Sequence, residues 1–193
     1  MACSRRCLLA AGCVYPAVAL AVPAESEAQS ASTPTRGVTE VDLSSVAQGE
    51  LAIVQWRGRP VWVLHRSPEM IERLMSPDLP AQLADPDSEL TNPGHTPGYA
   101  RNALRSIRRE YFLGIAACPH AGCQPVARLK AGPHPERADN WPGGFACQCH
   151  FATFDLAGRV FRGKPTSENI QVPRHMYLSD SSIAIGRDKD GDA

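Results

Sequence analysis

The sequence lacks the features of several large protein classes. Basic and acidic residues are equally numerous, 20 of each, and they form no basic stripe, so no nucleic-acid partner is indicated. The apolar run Cys7–Val22 has only 16 residues, or about 24 Å as a helix, which is short for the ~30 Å hydrocarbon core of a membrane. The pair Gly143–Gly144 is followed by neither a helix signal nor Lys-Ser/Thr, which excludes a phosphate-binding loop.

What is present indicates a globular protein rich in strands and loops. The 193 residues are enough for one domain or for two small ones. The chain is 43% hydrophobic and 21% charged, which are ordinary values for a globular protein. Its 17 prolines and 15 glycines follow no period, and this favours a mostly β architecture over a helical bundle.

The amino terminus has the layout of an export signal. Ser4-Arg5-Arg6, followed by Leu8-Leu9 and the apolar run, resembles a twin-arginine signal. Residues 1–24 are therefore predicted to be either a membrane anchor, formed by an apolar helix, or a signal that is cleaved near Ala19–Ala21 or near Ala24. Either way the remainder is exported to an oxidising compartment, where a disulfide is stable. Three cysteines in this segment are given no role at the site: Cys3, Cys7 and Cys13.

The remainder is predicted to be a flexible linker followed by one folded domain. Residues 25–38 are small, polar and proline-containing, as linkers are, and residues 39–193 form the domain. Apolar alternation or apolar runs of strand length predict strands in six segments, which are 39–43, 50–56, 60–66, 110–117, 143–148 and 182–186. The turn signal Arg57–Arg59 predicts a hairpin between the second and third of these.

One helix and one irregular insertion complete the expected fold. Ser67 is a favourable cap, Pro68 suits the first helical position and Glu69 suits the first turn, so a helix is predicted at Pro68–Met75. The stretch Ser76–Gly98 is rich in Pro, Asp and Asn, and it is predicted to be an irregular insertion.

Two short clusters hold four of the seven cysteines and two of the six histidines. The first is CPHAGC, with Cys118, His120 and Cys123, and the second is CQCH, with Cys147, Cys149 and His150. Each cluster follows a predicted strand, so both should lie in loops at strand ends.

These residues are candidate metal ligands. A structural zinc site usually draws two ligands from a C-x₂₋₄-C knuckle, and neither Cys–His pair has that arrangement. A two-iron, two-sulfide cluster held by two thiolates and two imidazoles takes one Cys and one His from each loop. The two remaining cysteines are then free to join the loops, so this interpretation accounts for all six residues. Structural zinc and two plain disulfides remain as alternatives.

The pattern C-x-H-x-G-C followed by C-x-C-H resembles the signature of Rieske iron–sulfur proteins. Further similarity lies at Val54–Leu64, at SPEM from Ser67, at EYF before the first cluster, at FDLAGRVF after the second and at VPRHMYLSD near the end. Together these segments resemble the Rieske subunit of the bacterial ubiquinol–cytochrome c reductase, from the linker to Asp180.

The resemblance implies a fold, a site and partners. The fold is an antiparallel β sandwich with a small cluster-binding subdomain at about 112–173, preceded by an uncleaved apolar helix in the membrane. The partners are quinol and the cytochrome b and cytochrome c1 subunits, and the place is the periplasmic side of the bacterial inner membrane. One [2Fe-2S] cluster is bound by Cys118, His120, Cys147 and His150. The disulfide joins Cys123 to Cys149.

The expected chemistry depends on having two histidines. Replacing two of four thiolates by neutral imidazoles leaves the oxidised cluster roughly neutral instead of about two charges negative, which raises its potential. An imidazole nitrogen that is not bound to iron also carries a proton, which it holds more or less tightly as the charge of the iron changes. The resemblance implies that His150 meets the quinol hydroxyl.

The chain departs from the family pattern at five positions. Pro119 and Ala121 stand where the first box usually has Thr and Leu, and Pro119 removes a backbone N–H from that loop. Phe151, Ala152 and Phe154 stand where the second box usually has Gly, Ser and Tyr. Two hydroxyl groups that would donate hydrogen bonds toward the cluster are therefore absent.

Two other functions are consistent with the sequence. One is the Rieske subunit of another exported oxidase, such as arsenite oxidase, and the other is a non-catalytic metal-binding module. Asp155 is interpreted as a turn residue, not as a base. Four further histidines are interpreted as hydrogen-bonded or surface residues, not as ligands: His65, His95, His134 and His175.

Overall fold

The fold is described from a computed structural model, for residues 32–35, 37–90, 92–134 and 138–192. These residues form one α-helix and fourteen strands, joined by turns and short 3-10 helices. The helix α1 is Pro68–Leu74, and the strands are β1 Ser32–Thr35, β2 Val38–Asp42, β3 Leu51–Trp56, β4 Arg59–His65, β5 Tyr111–Ile115, β6 Val126–Arg128, β7 Gly132–His134, β8 Ala138–Trp141, β9 Gly144–Ala146, β10 Thr153–Asp155, β11 His175–Tyr177, β12 Ser182–Ile185, β13 Arg187–Asp188 and β14 Gly191–Asp192.

Three antiparallel sheets make up most of the structure. The first has the order β1-β2-β12-β11, the second β3-β4-β5 and the third β10-β9-β6. Two further pairs, β7-β8 and β13-β14, are short hairpins. The six predicted strands are confirmed: β2 and β4 have the predicted length and start one residue earlier, and the other four are one to three residues shorter than predicted.

The β3–β4 hairpin shows how local sequence sets the register of the second sheet. Arg57 and Gly58 both have positive φ, 50° and 72°, as a two-residue turn that matches the twist of the strands requires. Trp56 then pairs with Arg59, and the register continues to Leu51 opposite Leu64. The predicted hairpin is confirmed.

The centre of strand β4, Val61–Leu64, is apolar because both of its faces are buried. Val61 and Val63 pack in a core between the first and second sheets, with Ile183 and Ile185 of β12. Trp62 and Leu64 point to the opposite face and join a second core shared with the third sheet. The second sheet is thus the middle layer, and the predicted sandwich with an attached subdomain is confirmed.

Helix α1 begins and ends as predicted to within one residue. The Ser67 hydroxyl accepts a hydrogen bond from the Met70 amide at 3.4 Å, and the helix ends at Leu74. Met70, Ile71 and Leu74 are buried, so the helix covers one side of the domain before the chain enters the insertion.

In the described part of the predicted irregular insertion, the regular elements are short 3-10 turns at Pro80–Gln82 and Pro93–His95, and a third turn, Gly98–Ala100, begins at its last residue. The insertion is nevertheless firmly attached to the third sheet. Leu83 is fully buried and forms an isolated bridge with Phe161, so the insertion packs beside the segment that follows β10.

Three predictions concern the start of the chain. Strand β1 and the first residue of β2 lie within 25–38, the range predicted as linker, so pairing in the first sheet begins at Ser32. The predicted anchor, residues 1–24, lies outside the described residues. Within the described part of the chain, no helix has both the length and the apolar composition that a membrane crossing requires.

Candidate metal centre

The first loop, Cys118–Cys123, follows β5 and is closed by its own backbone. The Cys118 amide donates to the carbonyl oxygen of Cys123 at 2.8 Å, and the Gly122 amide donates to the carbonyl oxygen of Cys118 at 2.8 Å. Gly122 has a φ of 74°. Strand β5 thus delivers the chain into a compact turn that begins with a buried cysteine.

The second loop, Cys147–Ala152, connects β9 to β10 and is closed in the same way. The Cys147 amide donates to the carbonyl oxygen of Ala152 at 2.8 Å, and the Phe151 amide donates to the carbonyl oxygen of Cys147 at 3.0 Å. In both loops the first residue is a cysteine and the fifth has positive φ, 60° in Phe151. The two clusters are therefore two copies of one local structure.

A disulfide between Cys123 and Cys149 joins the loops. This confirms the pairing that the family resemblance implied. Cys118 and Cys147 are both free and 97% buried. The Cys147 sulfur lies within 4.8 Å of the two disulfide sulfurs, but those two are bonded to each other, so of these three only Cys147 offers a thiol to a metal.

The two free thiols are neighbours in a dry environment. Burial, and to a smaller extent the nearby thiol of Cys147, raise the pKa of Cys118 to about 11. Backbone amides of His120 and Ala121 donate to the Cys118 sulfur and oppose this shift. The loop therefore supplies donors to the sulfur even though Pro119 has none.

The two predicted histidine ligands lie at the surface of the same tip. The rings of His120 and His150 are 4.6 Å apart between centroids and nearly perpendicular, at 88°. Both residues are exposed. The thiols thus lie inside and the imidazoles lie outside, and each loop contributes one of each.

Two sets of buried contacts flank the second loop in the sequence, an aromatic pair before it and a hydrogen-bonded carboxylate after it. Trp62 of β4 stacks on Phe145 of β9 with centroids 4.1 Å apart and planes at 10°. In the turn after β10, the buried Asp155 carboxylate accepts from the amides of Ala157 and Arg159, at 2.8 and 2.9 Å, and from the Arg159 guanidinium at 2.7 Å. The interpretation of Asp155 as a turn residue agrees with these contacts.

This donor set fits a mixed cysteine and histidine metal centre. Thiolate and imidazole are the ligands that iron–sulfur centres of the Rieske type use. Burial favours the protonated thiol of Cys118, and a metal that displaces this proton gains the sulfur as a ligand. The four predicted ligands therefore converge in a way that suits such a centre.

Comparison with known proteins identifies the family, although no family model matches the chain. The ubiquinol-cytochrome c reductase iron-sulfur subunit of Allochromatium vinosum is 46% identical over 150 residues, which cover 78% of this chain and 70% of that protein. The protein of the same name from Bradyrhizobium diazoefficiens is 33% identical over 147 residues, covering 76% and 70%. The chain belongs to the family of Rieske iron–sulfur subunits of ubiquinol–cytochrome c reductase.

More distant members and one solved structure are also similar to this Rieske subunit. The mitochondrial cytochrome b-c1 complex Rieske subunit of Neurospora crassa is 30% identical and covers 76% of this chain and 53% of that protein. A chain of a hyperthermophilic respiratory Complex III matches with a TM-score of 0.43 and 17% identity, covering 75% of this chain and 71% of that one. The family agrees with the first functional interpretation and not with the arsenite oxidase alternative.

Three of the four lone histidines make their described contacts outside the two loops. His65 and His175 each contact a backbone carbonyl oxygen through Nδ1, of Val46 and Pro173 respectively, both at 2.8 Å. His95 lies 3.4 Å from the Glu168 carboxylate. These three are hydrogen-bonded or surface residues in this Rieske subunit, as interpreted from the sequence.

Sequence reasoning missed the buried arginines that hold the cluster-binding part against the insertion. Arg66 donates to the carbonyl oxygens of Leu104 and Leu156, at 2.7 and 3.3 Å. Arg105 donates to the carbonyl oxygen of Ile170 and to the Thr96 hydroxyl, both at 2.7 Å. No local pattern separates a buried arginine from a surface one, since the partners are distant backbone oxygens. Burial lowers the pKa of Arg66 to about 9.

Proposed function

We propose that this chain binds one [2Fe-2S] cluster through Cys118, His120, Cys147 and His150, and that it oxidises quinol and passes the electron to cytochrome c1. The proposal is carried by one observation: two loops of the same backbone design, joined by a disulfide, bring two buried free thiols and two exposed imidazoles to one tip. The family of the chain supports it.

Each ligand position suits its task. When bound, the cluster accepts a single electron at a potential that histidine ligation raises. Buried Cys118 and Cys147 keep the ligand sulfurs away from water. His150 is exposed, so its ring nitrogen that is not a ligand is free to meet the quinol hydroxyl and to take its proton. The disulfide keeps the two loops at a fixed separation while this happens.

The same proposal assigns a role to each of the other parts of the chain. Residues 1–24 anchor the protein in the bacterial inner membrane, the part of residues 25–38 that precedes β1 forms a hinge, and the residues from Ser32 onward form the head on the periplasmic side. The head moves between a quinol site next to cytochrome b and the cytochrome c1 subunit. The names of the relatives support a place in such a complex.

The test is chemical analysis of the full chain purified from membranes. We expect two irons and two acid-labile sulfides per chain, with the electron paramagnetic resonance spectrum of a cluster that has both nitrogen and sulfur ligands. One zinc per chain instead of iron would overturn the proposal, because a zinc centre carries no electron.

Variants assign the ligands one at a time. Cys147→Ala and His150→Ala each remove one of four ligands, and we expect both to lose the cluster while His95→Ala, at a surface histidine outside the tip, keeps it. Cys123→Ser removes the disulfide at a cost of about 2–4 kcal/mol, but it leaves the backbone hydrogen bonds of both loops. We therefore expect a labile cluster in this variant and not a missing one.

A further inference from the structure

The fifth residue of each loop has a left-handed backbone conformation, but it is a glycine in the first loop and a phenylalanine in the second. In the first loop the residue is Gly122, with φ 74°, and in the second it is Phe151, with φ 60°. Both donate their amide to the carbonyl oxygen of the cysteine four residues earlier. Glycine adopts this conformation without strain, whereas for phenylalanine it is unfavourable because of the β carbon.

Packing does not explain the phenyl group. Phe151 is 57% exposed and is one of the large hydrophobic side chains that the described residues leave at the surface. Glycine would give the loop the same conformation without strain, so neither the strain nor the exposed ring of Phe151 helps the loop to form. Strain of this kind persists at functional sites, so the ring has a use outside the fold.

The surroundings of Phe151 restrict what the ring contacts. The two segments that form the tip, 118–127 and 141–154, contain no Asp, Glu, Lys or Arg, although the chain has 40 such residues. The exposed groups of the tip include the imidazoles of His120 and His150 and the small residues Ala121 and Gly122. Two segments that offer imidazole rings, a phenyl group and no charged side chain suit an uncharged aromatic ring that carries a hydroxyl.

We propose that Phe151 is a specificity-determining contact for the quinol, packing against the ring whose hydroxyl meets His150. The inference rests on the proposed function and deepens it. The hydroxyl and the ring of one quinol then meet adjacent residues, since His150 and Phe151 are neighbours in the chain. Aromatic rings favour offset-stacked or edge-to-face contacts, which add to the burial of apolar surface. Phe151 contributes to the binding of substrate, and His150 contributes to the chemistry.

The test compares Phe151→Gly with Phe151→Tyr in the assembled membrane complex. Phe151→Gly removes both the ring and the strain, so we expect the thermal midpoint of the full chain to stay the same or to rise. We expect KM for a short-chain ubiquinol, and Kd for a redox-inactive quinol analogue, to rise about five- to tenfold while kcat changes little. Phe151→Tyr keeps the ring and should keep both constants. The matched control is Leu178→Ala, another exposed hydrophobic residue, which directly follows β11 of the first sheet.

Each outcome separates this inference from the proposed function. A wild-type chain without a cluster refutes the proposed function. A wild-type chain with a cluster and with turnover, but with unchanged KM and Kd in Phe151→Gly, refutes only the role of Phe151. A lower thermal midpoint in Phe151→Gly shows that the ring supports the fold, and a loss of assembled complex with unchanged KM shows that it contacts a partner subunit. Both of these results also overturn the inference.

Discussion

At the scale of single residues, two buried side chains near the thiols lack hydroxyl groups. Ala152 and Phe154 are fully buried and belong to the same core cluster as Cys118 and Cys147. Residues with hydroxyls usually stand at these positions in the family that the sequence resembles. A hydrogen bond to a cluster sulfur strengthens as negative charge accumulates, so it stabilises the reduced form and raises the potential.

We therefore expect Ala152→Ser and Phe154→Tyr each to raise the midpoint potential. If each hydrogen bond stabilises the reduced form by about 1–1.5 kcal/mol, each shift is on the order of 40–60 mV for one electron. The double variant should show nearly the sum. Redox titration of the three variants is the measurement. Unchanged midpoints would mean that these side chains do not face the cluster, and that the left-handed Phe151 has redirected the loop.

A second residue-scale feature is the buried histidine that joins the insertion to the first sheet. Its amide donates to the Tyr99 hydroxyl at 2.8 Å, and the Tyr99 ring meets the His175 ring edge to face at 5.3 Å. Burial lowers the pKa of His175, and this outweighs the opposing effects of the Pro173 carbonyl and the Asp188 carboxylate.

This shift makes stability depend on pH. The unfolded chain takes up a proton on His175 below about pH 6.5, whereas the folded chain takes it up only at lower pH. The unfolded state is therefore favoured as pH falls through 6.5, and the free energy of unfolding decreases. We expect His175→Gln to show a smaller decrease between pH 7 and pH 5, measured by urea unfolding at each pH. Equal pH dependence in the two proteins would contradict the assignment.

At the scale of elements, the short strands β9 and β10 place the second loop. Gly144 of β9 pairs with Asp155 and has a φ of 150°. A β carbon there would meet the Phe154 carbonyl oxygen and would lie 2.8 Å from the backbone of Asp155. The approach of the two strands, and with it the position of Cys147 three residues later, therefore requires glycine.

We expect Gly144→Ala to destabilise the protein by about 2–5 kcal/mol, from backbone strain and from overlap with the opposite strand. The iron content should fall with it, because Cys147 moves with β9. Gly98→Ala is the matched control, since a β carbon at Gly98 has nothing within 4 Å. Urea unfolding and iron analysis of both variants provide the test, and similar midpoints for the two would show that the strands separate without cost.

Elements with strong local signals were predictable from sequence, and others were not. Strands β3 and β4, their hairpin and helix α1 were predicted because turn residues, capping and apolar runs act locally. Eight short strands were missed, because strands of two to four residues carry little periodicity: β1, β6, β7, β8, β10, β11, β13 and β14. At the site, the six Cys and His positions could be identified from the sequence. The left-handed conformation of Phe151 could not, because no local sequence signal indicates a strained residue.

At the scale of the whole molecule, two cores share the middle sheet, and buried arginines connect the second core to the insertion. Arg105 donates to the carbonyl oxygens of Ala157, Gly158 and Ile170 and to the hydroxyl of Thr96, which lies in the insertion. Its contacts were not predictable, because they depend on which distant carbonyls remain unpaired after folding. They make the insertion part of the support of the site and not a separate appendage.

The prediction at this scale concerns export. Arg5 and Arg6 precede an apolar run, and the twin-arginine interpretation predicts that both are needed. We expect the double variant Arg5→Lys, Arg6→Lys to accumulate in the cytoplasm, whereas Arg57→Lys, on the β3–β4 turn, is exported normally. Cell fractionation with amino-terminal sequencing is the measurement. Mature protein that starts near Glu25 and is free in the periplasm would show that the signal is cleaved.

The first sheet also determines when the protein can finish folding. Strand β2 lies between β1 and β12, and Val41 pairs with Ile183. One of the first described strands therefore cannot complete its pairing until one of the last has been synthesised. At ~5–20 residues per second, a ribosome takes roughly 7–30 s to make the intervening chain. Pairs so distant in sequence also slow folding, because a long loop must close first. A chain truncated before β12 lacks the partner of β2, so a twin-arginine route that carries folded protein would not export incomplete chains.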